Sequence, residues 1–494
     1  MVACWDGLLP LLREVEERAG ERRRVGSIRE PLSPTLSPLG GARENTNLDN
    51  SPILPQLAWY EYRENNMTAN LKNTLFPVLL AGAVCLPSPG ADWPQYRGPN
   101  HDGTTTEKIP VQWPAGGLKQ VWKTPLQNGF SSFTLGGGKA YTLVTRNFEG
   151  GAQEACLALD AATGKELWAA PMGAGSAKYD GGGDSGARGN DGGDGARSTP
   201  TYDDGRVYAY SSQMTLKCFN AADGKQVWSC NVKTERAGRN IHWDCAISPL
   251  VEGDLVFIAG GGAGQALLAF DKKDGHVVWK GQDDEMTQAS PIAATILDER
   301  QVIFLTAKGL VSVAPKTGDV LWRFPFTGGG AAGASPVVSG DVVYVSRGYS
   351  VGAAACKITK ADGAFSARQI WKVPGNNDAN QWSTPVVYNG YVYGLFGQAQ
   401  HATGPLKCVD LATGAIKWSK NGFGPGGINL ADGNLLVLSD AGDLVLVKAA
   451  PDAYTELARS HVLAGKCWNS VAISNGRIYA RSTKEGVSLD VSGN

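Results

Sequence analysis

From residue 118 onward, short runs of alternating apolar and polar positions are separated by Gly-containing turns, and the arrangement recurs. "ALDAATGKELW" from Ala158 is followed by "CFNAADGKQVW" from Cys218, "AFDKKDGHVVW" from Ala269, "SVAPKTGDVLW" from Ser312 and "CVDLATGAIKW" from Cys408, with a distorted copy, "KITKADGAFSARQIW", from Lys357. Each places apolar alternation before a Thr-Gly or Asp-Gly pair that lets one residue take positive φ, then alternation ending in Trp, which is a hairpin pattern. Gly164, Gly224, Gly275, Gly318, Gly363 and Gly414 are therefore turn glycines. No helical pattern follows them, so they are not phosphate-loop glycines.

The terminal tryptophans, from Trp122 through Trp168, Trp228, Trp279, Trp322 and Trp371 to Trp418, stand 43 to 60 residues apart. That period suits a four-stranded propeller blade. Between hairpins lies a second unit, a Ser-Pro or Thr-Pro strand, a Gly turn, and a β-branched or aromatic strand, as in "RSTPTYDDGRVYAYS" and "WSTPVVYNGYVYGLF". Eight such units can be aligned, and the seventh hairpin, "DLVLVKAAPDAYTELARSHVL", has lost its Gly and Trp. The expected fold is an all-β, eight-bladed propeller of four-stranded blades. Its last blade lacks one strand, which "LKQVWKT" at 118–124 can supply from the front, closing the ring and removing an open edge.

Composition is in keeping with this. Sixty-four Gly and 42% apolar residues, with no long amphipathic helical pattern after residue 92, describe an all-β domain with enough chain for a large core. A net charge of −1 and a pI near 6.5 provide no basic field for nucleic acid. The first 91 residues differ. "MTANLKNTLFPVLLAGAVCLPSPGA" from Met67 has one Lys, an apolar run and small residues near 88 to 91, the layout of a secretory signal peptide. The expected division is thus 1–66 a mis-called or disordered extension, 67–91 a signal peptide and 92–494 the propeller, with a periplasmic or secreted location and no membrane span after cleavage. A lipoprotein linked at Cys85 is the alternative, although Val84 is larger than the residue wanted before a lipidated cysteine.

Seven cysteines follow residue 91, with no CxxC and no CxxCH, so neither a zinc knuckle nor covalent haem is indicated. Cys218 and Cys408 occupy an apolar hairpin slot where Ala158 and Ala269 stand in other copies, which reads as buried thiols serving as small hydrophobes. Cys230 and Cys245 could pair in an oxidising compartment.

The Ala-x-Asp-x-x-Thr-Gly-Lys-x-x-Trp hairpin resembles the repeat of quinoprotein dehydrogenases, which use pyrroloquinoline quinone (PQQ), and of their non-enzymatic relatives. Among these is the propeller subunit of the outer-membrane β-barrel assembly machinery. The opener "DWPQYRGPNHDG" and the later "GKCW" resemble secreted PQQ-like propellers. The likeness covers roughly residues 92 to 494 and implies that each repeat Trp packs between neighbouring blades. The quinoprotein alcohol dehydrogenases hold their quinone with Ca²⁺ bound by acidic and amide side chains, use an Asp as base, sandwich the ring against a Trp, and often cover it with a vicinal disulfide. This chain has no Cys-Cys pair and no long inter-blade insertions; Trp243-Asp244 in "IHWDC" is the candidate for a quinone floor and base.

Other chemistry is less well supported. "GDSG" at 183–186 spells a protease-like string, but inside a Gly-rich insertion with no matching His context. Asp180, Asp184, Asp191 and Asp194 in the same insertion lack the spacing of a calcium-binding hand. Surface geometry remains. Propeller first strands line a central channel, and aligning the eight Ser-Pro units places Phe130, Arg197, Ala246, Gln288, Gly333, Trp382, Gly427 and Trp468 at one height near its mouth. Phe130, Arg197, Gln288, Trp382 and Trp468 are the candidate binding residues, since aromatic and Arg side chains anchor interfaces; as channel packing they would only plug the funnel. The reading is a monomeric binding or scaffolding module for an envelope protein or extracellular ligand, with no catalytic residue, metal or cofactor of its own. The alternatives are a PQQ- and Ca²⁺-dependent oxidoreductase acting on alcohols or sugars, and a carbohydrate or small-ligand binder at the mouth.

Overall fold

A computed structural model describes residues 92–173, 195–329, 332–397 and 404–492. The extension, the signal-peptide segment and the acidic insertion with its "GDSG" string lie outside the described residues.

Eight antiparallel sheets follow one another along the chain. Blade one runs Thr134–Gly136, Lys139–Phe148, Gly151–Asp160 and Glu166–Pro171, each strand pairing with the next from the channel outward. The same order repeats through blade seven, Gly427–Ala431 to Glu456–His461. Blade eight takes Ala472–Ser474, Arg477–Arg481 and Glu485–Asp490 from the end of the chain and its outer strand, Lys119–Pro125, from the front. The ring therefore closes as the unpaired "LKQVWKT" segment led one to expect. The seventh hairpin pairs like the others despite its lost Gly and Trp, with the same kind of register shift, here between Leu446 and Val447. Among the described residues the longest helix is one turn, Val232–Glu235.

The alternation that marks the strands in the sequence survives only at the rim. The outer strand of blade four, Val320–Pro325, exposes Arg323 between buried Trp322 and Phe324, whereas its inner neighbour Gly309–Val313 is buried at every position. Middle strands are covered on both faces by adjoining blades, so both of their faces must be apolar.

Every repeat Trp but one donates its indole N–H to the next blade. Trp228 of blade two donates its indole N–H to the Lys272 carbonyl of blade three at 3.1 Å, and its ring lies where a Cβ on Gly275 would come within 2.5 Å. Trp122 and Gly164, Trp168 and Gly224, Trp279 and Gly318, and Trp371 and Gly414 repeat the arrangement. The turn glycines thus serve twice, taking positive φ and leaving room for the preceding blade's ring. Trp322 is the exception. Its neighbour is the long hairpin Gly352–Ala361 and Ala364–Val373, with a two-residue turn at Asp362 and Gly363, where a Cβ on Gly363 would meet nothing. Trp322 instead donates to Gln301 Oε1 within its own blade at 2.7 Å.

The Ser-Pro and Thr-Pro units form a belt around the channel. Ser132 N–H donates to Thr199 Oγ1, Thr199 N–H to Ser248 Oγ, Ser248 N–H to Ser290 Oγ, and Ser335 N–H to Thr384 Oγ1, all at 2.9–3.0 Å. Each bond runs from one blade to the next. The seven cysteines after residue 91 are free and buried; Cys230 and Cys245, the possible pair, share a core cluster unbridged. Burial pushes the Cys218 thiol up to about 11. No described helix is long and apolar enough to cross a membrane.

Candidate functional site at the channel mouth

The two ends of the channel differ. Antiparallel strand order puts the hairpin turns at one end and the aligned set from Phe130 to Trp468 at the other. The turn end is crossed by the chain's own start. The Trp93 carbonyl accepts from Leu135 N–H of blade one, and the Pro94 carbonyl from Tyr202 N–H of blade two. Thr104–Thr105 adds a parallel strand inside Gly427–Ala431 of blade seven. The Glu107 carboxylate accepts from Asn475 and Gly476 N–H of blade eight. At the centre Arg97, 2% exposed, donates to the carbonyls of Asp102, Thr384, Pro385 and Ile428 at 2.6–3.3 Å. Burial lowers its pKa, and its two terminal nitrogens meet four carbonyls in place of a carboxylate. The opener "DWPQYRGPNHDG" is this seal, and nothing local in it signals that role.

At the other end, three of the aligned residues converge. Phe130 of blade one stacks on Trp468 of blade eight with centroids 5.1 Å apart, and Trp468 meets Trp382 of blade six at 4.8 Å. Small residues make this possible. Gly427 of blade seven stands between the two tryptophans, and a Cβ there would come within 2.2 Å of the Asn469 carbonyl; a Cβ on Gly333 would lie 3.0 Å from Trp382 Cβ. Trp382 is half-buried and donates to the Pro425 carbonyl at 3.1 Å, while Lys466 Nζ lies 5.0 Å from the centre of the Trp468 ring.

The opposite wall is polar. Arg197 of blade two donates to the Trp243 carbonyl, and Gln288 Nε2 of blade four donates to the Asp244 carbonyl at 3.0 Å, so the Trp243-Asp244 loop is held from both sides. Asp244 is buried with φ of +61°, and its Oδ1 accepts from Asn240 Nδ2 at 3.0 Å. Behind it lies Glu154, 2% exposed, which sequence reading did not single out. Its Oε2 accepts from Ser212 N–H at 2.9 Å. Burial pushes its carboxyl up to about 7, and Arg197 opposes that shift while Asp244 adds to it. A lone Glu in a strand carries no signal of such burial.

The quinone reading can be tested against this geometry. A quinone resting on a Trp needs a free ring face about 3.5 Å from it, the carbon contact distance. Here the three rings face one another, the Trp243 ring packs edge-on to His242, and Asp244 is engaged by Asn240. These residues do not fit a sandwiched quinone beside a calcium ion. The three acidic or imidazole side chains close enough to share an ion among the described residues, Asp271, Asp274 and His276, lie in the hairpin turn of blade three, at the turn end and not at the mouth, and are largely exposed.

A family model described as outer membrane protein assembly factor BamB matches residues 152–377. Among curated relatives, BamB of Salmonella typhimurium is 26% identical over 53% of this chain and 66% of its own length. The tetrathionate hydrolase of Acidithiobacillus ferrooxidans is 26% identical over 43% of this chain and 44% of its own. The chain therefore spans less than two thirds of either relative. Among solved structures, BamB of Moraxella catarrhalis superposes with a TM-score of 0.51 at 14% identity, covering 75% of this chain and 99% of that one. Quinohemoprotein alcohol dehydrogenase ADHIIG of Pseudomonas putida superposes with 0.55 at 13% identity, covering 82% and 80%. This chain is a β-propeller built from the PQQ-like repeat. Through that repeat it is related to the assembly factor BamB.

Proposed function

We propose that the protein is a periplasmic or secreted binding or scaffolding module, without catalysis of its own, that docks an envelope protein or extracellular ligand on the open channel mouth. One observation carries this reading: the chain seals the turn end with Arg97 and leaves Phe130, Trp382 and Trp468 gathered at the other. Rings grouped beside a hydrogen-bonded polar wall have the make-up of an interface anchor. The BamB relatives, named as assembly factors, agree with a scaffolding role, and a leader beginning at Met67 would deliver the propeller across the membrane. The quinoprotein neighbours favour the rival, a PQQ-dependent oxidoreductase; the packed rings speak against it.

Trp382→Ala and Trp468→Ala, alone and with Arg197→Ala, are expected to weaken capture of the envelope partner while leaving the unfolding midpoint nearly unchanged. Losing such an anchor costs about 2 kcal/mol or more of binding. A large fall in midpoint with capture unchanged would make these rings channel packing. Calorimetry with PQQ and Ca²⁺ is expected to show no tight binding, and saturable binding abolished by Asp244→Ala would restore the oxidoreductase.

A further inference from the structure

The mouth holds groups that the docking reading leaves unused. Both amide atoms of Asn429 and of Asn469, the Ser383 hydroxyl and the Trp468 indole N–H are buried with no hydrogen-bond partner in the protein. Asn429 is 0% and Asn469 7% exposed. Ser383 follows Trp382, Asn469 follows Trp468, and Asn429 stands two residues beyond Gly427, at the height of the hydroxyl belt. The amides and the indole N–H sit on blades seven and eight, beside the contact between Trp382 and Trp468; unpartnered hydroxyls like that of Ser383 recur around the belt at Ser132, Ser198 and Ser335.

Buried polar groups in folded proteins are nearly always paired, so a cluster of unpaired ones calls for partners from outside the chain. Their chemistry narrows the choice. Each amide offers two donors and an acceptor without charge, and hydroxyl and indole add neutral groups. The charged residues nearby are matched on both sides: on the opposite wall Arg197 acts on Glu154 beside Asp244, and Lys466 over the Trp468 ring acts on Asp440. An ionic ligand would find no unmatched opposite charge there. The parts of Trp382 and Trp468 that their mutual packing leaves exposed, edged by neutral donors and acceptors, suit a ring with C–H groups on its faces and hydroxyls around its rim.

We propose that the mouth binds a neutral carbohydrate, one hexose ring resting on Trp468 and Trp382 with its hydroxyls reaching the amides of Asn469 and Asn429. This rests on the mouth being the recognition surface. The test is calorimetry on the intact protein, with tryptophan emission as a second readout, using cellotetraose, laminaritetraose, maltotetraose and chitotetraose. Saturable binding of at least one is expected. Asn469→Leu and Asn429→Leu should weaken it tenfold or more and leave the unfolding midpoint unchanged or raised, because Leu removes atoms that no protein group pairs. Trp468→Phe should weaken it while keeping a ring in place.

Absence of saturable binding to all four sugars would overturn the proposal. So would a sharp fall in midpoint for the Asn variants with affinity intact, which would make the amides structural. Envelope capture run in parallel separates the two readings. Capture that needs Trp382 and Trp468 without any sugar binding rejects the carbohydrate and keeps the docking mouth, whereas sugar binding without Trp-dependent capture does the reverse.

Discussion

At the residue scale the turn glycines are not equivalent. Gly275 has φ of +78° and faces the Trp228 ring, while Gly363 has φ of +79° and faces open space. An Ala at either position meets the left-handed penalty of about 1–2 kcal/mol, but only at Gly275 must it also displace a packed ring, a further ~1–3 kcal/mol. Gly275→Ala is expected to be the more damaging by about 2 kcal/mol in urea unfolding. Equal losses would mean that the glycines serve the turn alone. Glu154 allows a pH test. Its folded carboxyl titrates near 7, above the 4.5 of an ordinary Glu, so between those values the native state holds more protons than the unfolded one and stability falls as pH rises. The full effect is about 3 kcal/mol. His101 acts oppositely, since burial lowers it to about 4 and stability is lost as pH falls below 6.5. Difference curves are therefore needed: relative to Glu154→Gln, the parent should lose stability from pH 5 to 7. A flat difference would show Glu154 to be solvated.

At the element scale the ring depends on one borrowed strand. Lys119–Pro125 pairs with Glu485–Asp490, and its Trp122 reaches forward to the Ala161 carbonyl of blade one at 3.0 Å. Deleting residues 119–125 removes both the outer strand of blade eight and its junction with blade one, leaving an open edge. The expected product is insoluble or unfolds far below the parent in thermal denaturation; an unchanged midpoint would require another closing strand.

At the scale of the whole molecule, the start of the chain is part of the architecture. The Trp93 carbonyl is already bonded to blade one, and Arg97 gathers carbonyls from blades six and seven. A signal peptide cleaved near residues 89 to 92 would spare this seal, whereas cleavage beyond Trp93 would begin to dismantle it. Intact-mass analysis of the exported protein should show an N-terminus within that interval. A stable exported species that retains residues 1 to 66 would exclude a start at Met67.

How much of this was legible beforehand follows the range of the interactions. The Thr-Gly and Asp-Gly turns, the Trp at fixed spacing and the unpartnered "LKQVWKT" are local or periodic features, so the eight blades, their strand pairs and the ring closure could be read from the sequence. Aligning the repeats also grouped Phe130, Trp382 and Trp468. That these rings stack was decided in three dimensions, because it depends on Gly427 and Gly333 having no side chains beside them. The hydroxyl belt runs through the recurring Ser-Pro and Thr-Pro units, so its positions were periodic in the sequence while its bonds from blade to blade were not. The Arg97 seal and the burial of Glu154 were beyond sequence reading altogether. Arg97 and Ile428 are 331 residues apart. A single hydrogen bond across such a separation leaves no periodicity in the chain, and a polar side chain's burial is set by the blades that close over it, not by its sequence neighbours.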